Sequence, residues 1–138
     1  MNNIKHDEIR QAVRKNYGRI AESGGCGCGP SSCCGSTIDA PTTLSQALGY
    51  SADETAAVPE GSNMGLGCGN PQAIANIKVG ETVIDLGSGG GFDCFLAARQ
   101  VGDAGRVIGI DMTPAMISKA RERGGGRLSE RRIPARRN

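Results

Sequence analysis

Six cysteines and one run of glycines are the residues in this sequence whose types and spacing could do chemistry. Cys26, Cys28, Cys33 and Cys34 crowd into the stretch CGCGPSSCCG, Cys68 lies in a second glycine-punctuated segment, and Cys94 stands apart. The first five show no paired C-x2-C spacing, so a structural zinc ribbon or finger is a weak reading. The glycine run, Asp85-Leu-Gly-Ser-Gly-Gly-Gly91, falls between an apolar pentapeptide and a helix-like segment. Backbone N–H groups and a helix N-terminus would converge there, where a ligand can approach without meeting side chains.

Such a loop suits a nucleotide-like cofactor. The dinucleotide fingerprint G-x-G-x-x-G, counted from Gly87 and Gly89, puts Phe92 where the third glycine should pack closely, and this disfavours NAD. A ligand without pyrophosphate fits better, and S-adenosylmethionine is the one proposed. On this reading Asp85 offers a carboxylate to its amino group, and Gly87, Ser88, Gly89, Gly90 and Gly91 line its approach. Asp111, at the end of the next strand, accepts hydrogen bonds from the ribose hydroxyls, and Met112 packs on adenine. The plainer alternative is that the glycines only make a tight turn and that Asp111 only caps the next helix. The strand before, the helix after and the acid closing the second strand favour the cofactor.

A sulfonium cofactor gives the cysteines a purpose. Thiolates favour soft, polarisable centres, and trivalent arsenic takes three sulfur ligands in a pyramid whose lone pair is free to attack an electrophilic methyl group. That transfer needs no strong general base, and neither a Ser-His-Asp set nor paired carboxylates is visible. The single histidine, His6, reads as a solvated surface residue. Cys94 shares a helical stripe with Ala98 and Val101 and reads as a small core residue outside the arsenic site.

Two kinds of element must position these groups. The first part is helical: Ile9, Val13, Tyr17 and Ile20 recur on one face of a helix over about 3–21, which Gly24 and Gly25 stop. The cysteine-rich loop follows. A short helix begins near Ala40 with Pro41 in its first turn, and Ser51 with Glu54 forms a capping box for another that ends before Pro59. Residues 60–71 are a glycine-punctuated loop, and Pro71 opens a helix through about Ile77. The pattern then changes to alternating strand and helix, the mark of a parallel α/β sheet: strand 82–86, turn 87–91, helix 92–101, strand 106–111 and helix 114–123. The expected organisation is a helical, cysteine-rich segment over 1–58, the first βαβα unit of a Rossmann-like class I methyltransferase fold over 59–123, and an Arg/Gly-rich tail over 124–138.

Composition sets the outer bounds. The length, 138 residues, allows one ordinary domain, and with no Trp, two Tyr and two Phe the core must come from aliphatic residues. The apolar stretches are too short to cross a bilayer and the first residues lack a signal-peptide centre, so the protein is expected in the cytoplasm with its thiols reduced and no membrane partner. The formal charge of +2 divides into −3 over the first 120 residues and +5 from Arg121 onward, where seven Arg meet two Glu. A phosphate-binding arm would fit that charge, but the tail lacks interleaved aromatics, and no nucleic-acid partner is expected. Without apolar periodicity, and with Gly124 to Gly126 and Pro134, the tail is expected to be disordered.

The sequence resembles the arsenite methyltransferases. The resemblance is carried by CCG at 33–35, PEGSNMGLGCGNP at 59–71, GETVIDLGSGGGFDCFLAARQVG at 80–102 and GRVIGIDMTPAMISKARE at 105–122. It implies methyl transfer from S-adenosylmethionine to arsenite presented as a thiol complex, with thioredoxin or glutathione as reductant, in arsenic detoxification. By motif, the arsenic thiols fall on Cys68 and on the pair Cys33 and Cys34, between which the resemblance does not choose. Cys26 and Cys28 match a variable cysteine-rich loop, for which accessory capture and no role stand level.

The resemblance also implies more chain. Members of the family complete a seven-stranded sheet and supply further cysteines from a later strand and loop, whereas the residues after Glu122 carry no strand pattern. A truncated or frameshifted ending is the simplest account, and it predicts unpaired strand edges and an inactive or severely impaired chain. A non-catalytic, thiol-based arsenite or heavy-metal binder is the competing function.

Overall fold

The computed structural model describes residues 2–23 and 40–124. The cysteine-rich loop with Cys26, Cys28, Cys33 and Cys34, and the tail from 125 to 138, lie outside the described residues.

The N-terminal part is helical, as its periodicity predicts: α1 spans Asn2–Ser23, α2 Ala40–Ala47 and α3 Ala52–Ala56. The capping box at α3 forms in full, with the Ser51 hydroxyl accepting from the Glu54 amide and the Glu54 carboxylate accepting from the Ser51 amide at 2.7 Å. The predicted face of α1 is buried only at its end. Ile9 and Tyr17 are exposed, whereas Ile20 and Ala21 are buried. Ala21 joins Met64 and Met116 in a small apolar cluster with Leu66 and Ala115 against it, so among the described residues it is the last turns of α1 that find a partner to pack on. Lys119 Nζ donates to the Ala21 carbonyl at 2.9 Å, a cation at a helix C-terminus where the dipole favours it.

The remainder is one β–α–β–α unit: β1 Thr82–Leu86, α5 Phe92–Val101, β2 Arg106–Ile110 and α6 Pro114–Gly124, preceded by α4 Gln72–Ala75. α4 is shorter than the predicted 71–77, because Asn76 takes the left-handed conformation that ends a helix. The strands pair in parallel, with Thr82 opposite Arg106 and Leu86 opposite Ile110. One face of the sheet is dry: Val83 and Val107 pack with Cys94, Ala97 and Val101 of α5, and the half-buried Ile77 packs against them. Ala97 takes the place expected of Ala98, which is exposed, since the stripe three and seven residues beyond Cys94 faces the sheet. On the other face Ile84 is 59 % exposed and Leu86 76 %, with none of the described elements covering them.

Candidate methyl-donor and arsenic site

The glycine loop is built from both strand ends. Gly87 and Ser88 donate their amides to the Ile110 carbonyl at 2.7 and 3.1 Å, which draws the loop across the top of β2. The Gly89 amide donates to Asp111 Oδ2 at 2.9 Å, and the Thr113 amide to Asp111 Oδ1 at 2.8 Å. Asp111 therefore does the work of the plainer reading, shaping the loop and capping the turn into α6. Each oxygen keeps a second lone pair for a hydroxyl donor. Met112 beside it is half exposed.

The four glycines among the loop residues proposed for the cofactor divide into two groups. Gly87 and Gly89 have φ of 85° and 52°, and a methyl group built on either would meet nothing within 4 Å. These positions combine a left-handed backbone with open space, a cradle that a ligand can enter. Gly90 and Gly91 are buried instead. A methyl on Gly90 would lie 2.9 Å from the Met64 side chain and 3.3 Å from the Ser62 carbonyl, and on Gly91 3.1 Å from the Phe95 ring and 3.3 Å from Ala120. They are glycines because other parts of the chain press against them.

Asp85 is half-buried on the α5 face of β1 and accepts a hydrogen bond from Cys94 Sγ at 3.2 Å. Burial pushes its carboxyl above the usual carboxylate range; the Cys94 hydrogen bond pulls it back, and the charges of Asp93 and Asp111 push it further up. Cys94 is 1 % exposed, and burial together with the Asp85 carboxylate drives its thiol well above the ordinary range, so it stays a protonated donor. It is a core residue, as its helical stripe predicts. Gly109, opposite Asp85 in the sheet, makes room for this group: a methyl there would sit 2.9 Å from both Cys94 Sγ and Ser88 Oγ. Nothing in the sequence pattern of β2 singles out that glycine.

Cys68 is exposed with a free thiol. Its loop is held from a distance. Asn63 Oδ1 accepts from Ser45 Oγ at 3.0 Å and from the Gly65 amide at 3.1 Å, Asn70 Nδ2 donates to the Gly49 carbonyl at 3.0 Å, and Tyr50 Oη lies 3.1 Å from the Gly69 carbonyl. Gln72 Nε2 donates to the backbone and side-chain oxygens of Asp93 at 3.2 and 3.3 Å. Sequence reasoning missed Tyr50, Asn63, Asn70, Gln72 and Asp93, each of which has a partner 18 to 43 residues away. Cys33 and Cys34 fall outside the described residues, and among those described no group of three metal-ligating side chains forms.

The second strand of this parallel strand–glycine loop–helix–strand unit ends in an acid that holds the loop, and residues 77–130 match the family model described as "Methyltransferase domain". More particularly, the chain is similar to arsenite methyltransferases. It is 53 % identical over 124 residues to that of Halobacterium salinarum, covering 84 % of this chain and 31 % of the relative. It is 31 % identical over 112 residues to that of Aquipseudomonas alcaligenes, covering 81 % and 30 %. The chain thus spans about a third of the length of these curated relatives. The crystal structure of an arsenic(III) S-adenosylmethionine methyltransferase from Chlamydomonas reinhardtii superposes with a TM-score of 0.39 at 33 % identity, covering 64 % of this chain and 30 % of that one.

Proposed function

We propose that residues 59–123 form the methyl-donor site and contribute one arsenic thiol of an arsenite methyltransferase. The observation that carries this reading is the pairing of open, left-handed glycines at 87 and 89 with Asp111, whose carboxylate shapes the loop and keeps a lone pair on each oxygen for a further donor. The donor set suits S-adenosylmethionine: a desolvated carboxylate at Asp85 for a cationic amino group, backbone amides at the start of α5, and lone pairs on Asp111 for ribose hydroxyls. S-adenosylmethionine supplies an electrophilic methyl group on a sulfonium. The chain's own part is to orient that group and to present arsenic as a thiolate complex, Cys68 acting with Cys33 or Cys34, so that its lone pair is directed outward. The chemistry calls for a thiol reductant of the thioredoxin or glutathione kind, and for a reducing compartment such as the cytoplasm. No helix among the described residues is long and apolar enough to cross a membrane.

Methyl-labelled S-adenosylmethionine and arsenite, with a thiol reductant, test the reading on the intact chain. Saturable retention of the labelled donor, together with protection of Cys68 from alkylation by arsenite, is the expected result. Label appearing on arsenic would show that this chain suffices for the transfer. Arsenite bound with no donor retained would make it the competing thiol-based binder.

A further inference from the structure

Tyr50 has no place in the chemistry above, yet it is 4 % exposed and its phenol joins three parts of the molecule. Its ring packs edge-on against Phe92, the first residue of α5, with centroids 4.9 Å apart. Its Oη donates to Asp93 Oδ1 at 2.8 Å and also lies 3.1 Å from the carbonyl of Gly69, the residue after Cys68. One hydroxyl proton serves both acceptors, and the shorter, charged one holds it more strongly. Burial and the Asp93 carboxylate push the phenol above its usual range, which keeps it a donor. The same Asp93 oxygen accepts from Gln72 Nε2, so a single carboxylate in the first turn of α5 gathers contacts from both sides of Cys68. Asp93 stands two residues after Gly91, where the glycine loop ends.

We propose that Tyr50 is a positioning residue: held by Asp93, its hydroxyl latches the backbone beside Cys68 to the first turn of α5 and so sets the place of that thiol relative to the glycine loop. Nothing in the family motifs marks this residue, since it lies in the helical segment before Pro59. The latch itself is independent of the ligand; its consequence for arsenic rests on the function proposed above.

The test uses the intact chain with Tyr50→Phe, which keeps the ring on Phe92, and with Asp93→Asn and Asp93→Ala, which keep and remove the acceptor. Amide exchange at 67–70, alkylation of Cys68 by iodoacetamide followed by peptide mass mapping, and the arsenite concentration that half-protects Cys68 are measured in each. In Tyr50→Phe, exchange at 67–70 should quicken about threefold to tenfold, the magnitude of one lost hydrogen bond to the neutral Gly69 carbonyl. The half-protecting arsenite concentration should rise several-fold, with β1 and β2 amides unchanged. Asp93→Ala should reproduce this and Asp93→Asn should restore most of it. Unchanged exchange at 67–70 in Tyr50→Phe would overturn the proposal, as would acceleration spread equally over β1 and β2. Local acceleration without any arsenite protection of Cys68 in the parent chain would support the latch and overturn the arsenic reading instead.

Discussion

Two loops meet at this site and are held in opposite ways. The glycine loop is shaped by its own backbone: left-handed residues at 87, 89 and 91, and amides bound to the strand end and to Asp111 next to it. The loop from 60 to 71 is shaped by borrowed side chains, Ser45, Tyr50 and Asp93, with Asn63 and Asn70 reaching back to α2 and to Gly49. The first is rigid by conformation, and the second depends on its surroundings. A loop of the first kind is held by contacts close to it in the fold, whereas a thiol on a loop of the second kind can be moved by changes far from it.

The largest expected effect falls where the glycine loop meets the core. Gly91→Ala puts a side chain at φ 91°, 3.1 Å from Phe95 and 3.3 Å from Ala120, and should cost about 3 kcal/mol through strain and overpacking, read as a fall in thermal midpoint. Gly89→Ala meets open space, so its cost should be only the left-handed backbone, about 1 to 2 kcal/mol, while affinity for S-adenosylmethionine measured by calorimetry falls at least about tenfold. Gly90→Ala, opposed mainly by the flexible end of Met64, should leave that affinity within about threefold. Equal losses of affinity at 89 and 90 would erase the division between the open and packed halves of the loop.

Asp85 sharpens the comparison from the electrostatic side. Its folded pKa is raised, so the folded chain binds the proton more tightly than the unfolded chain, and ionisation costs stability. That cost is absent below the ordinary carboxylate value, grows as pH rises through the raised one and persists at neutral pH. Asp85→Asn should therefore be slightly more stable than the parent at pH 7, and the difference should shrink as pH falls toward 4. The same variant should bind S-adenosylmethionine about tenfold more weakly, because the ammonium loses its counter-charge. A variant that gains neither stability nor loses affinity would remove Asp85 from the site.

The smallest effect belongs to the borrowed loop. Asn70→Ala deletes the bond to Gly49 and the one accepted from the Ala73 amide, and should cost about 1 kcal/mol, with faster amide exchange across 66–73 and none at 87–91.

The same contrast decides what the sequence revealed. Loop 87–91, both strands, the capping box at Ser51 and the core role of Cys94 are local patterns, and the structure forms each of them. The division of the glycines is not local. Gly90 is packed by Met64 and Gly109 is kept small by Ser88 and Cys94, and neither pressure leaves a trace in its own segment. The apolar face assigned to α1 was legible as a pattern, but burial at Ile9 requires a partner that, among the described residues, the far end of the helix alone meets. Tyr50 and Asp93 escaped notice because a hydrogen bond spanning 43 residues has no spacing to read.

The central claim is that the open half of the glycine loop, with Asp111, receives the methyl donor. Titrating the isotopically labelled chain with S-adenosylmethionine while following its backbone amide resonances tests this most directly. Saturable shifts concentrated at 85–89 and 111–112, and absent from the exposed face at Ile84 and Leu86, are the predicted result. Saturable shifts confined to other residues, or none at millimolar donor, would contradict it.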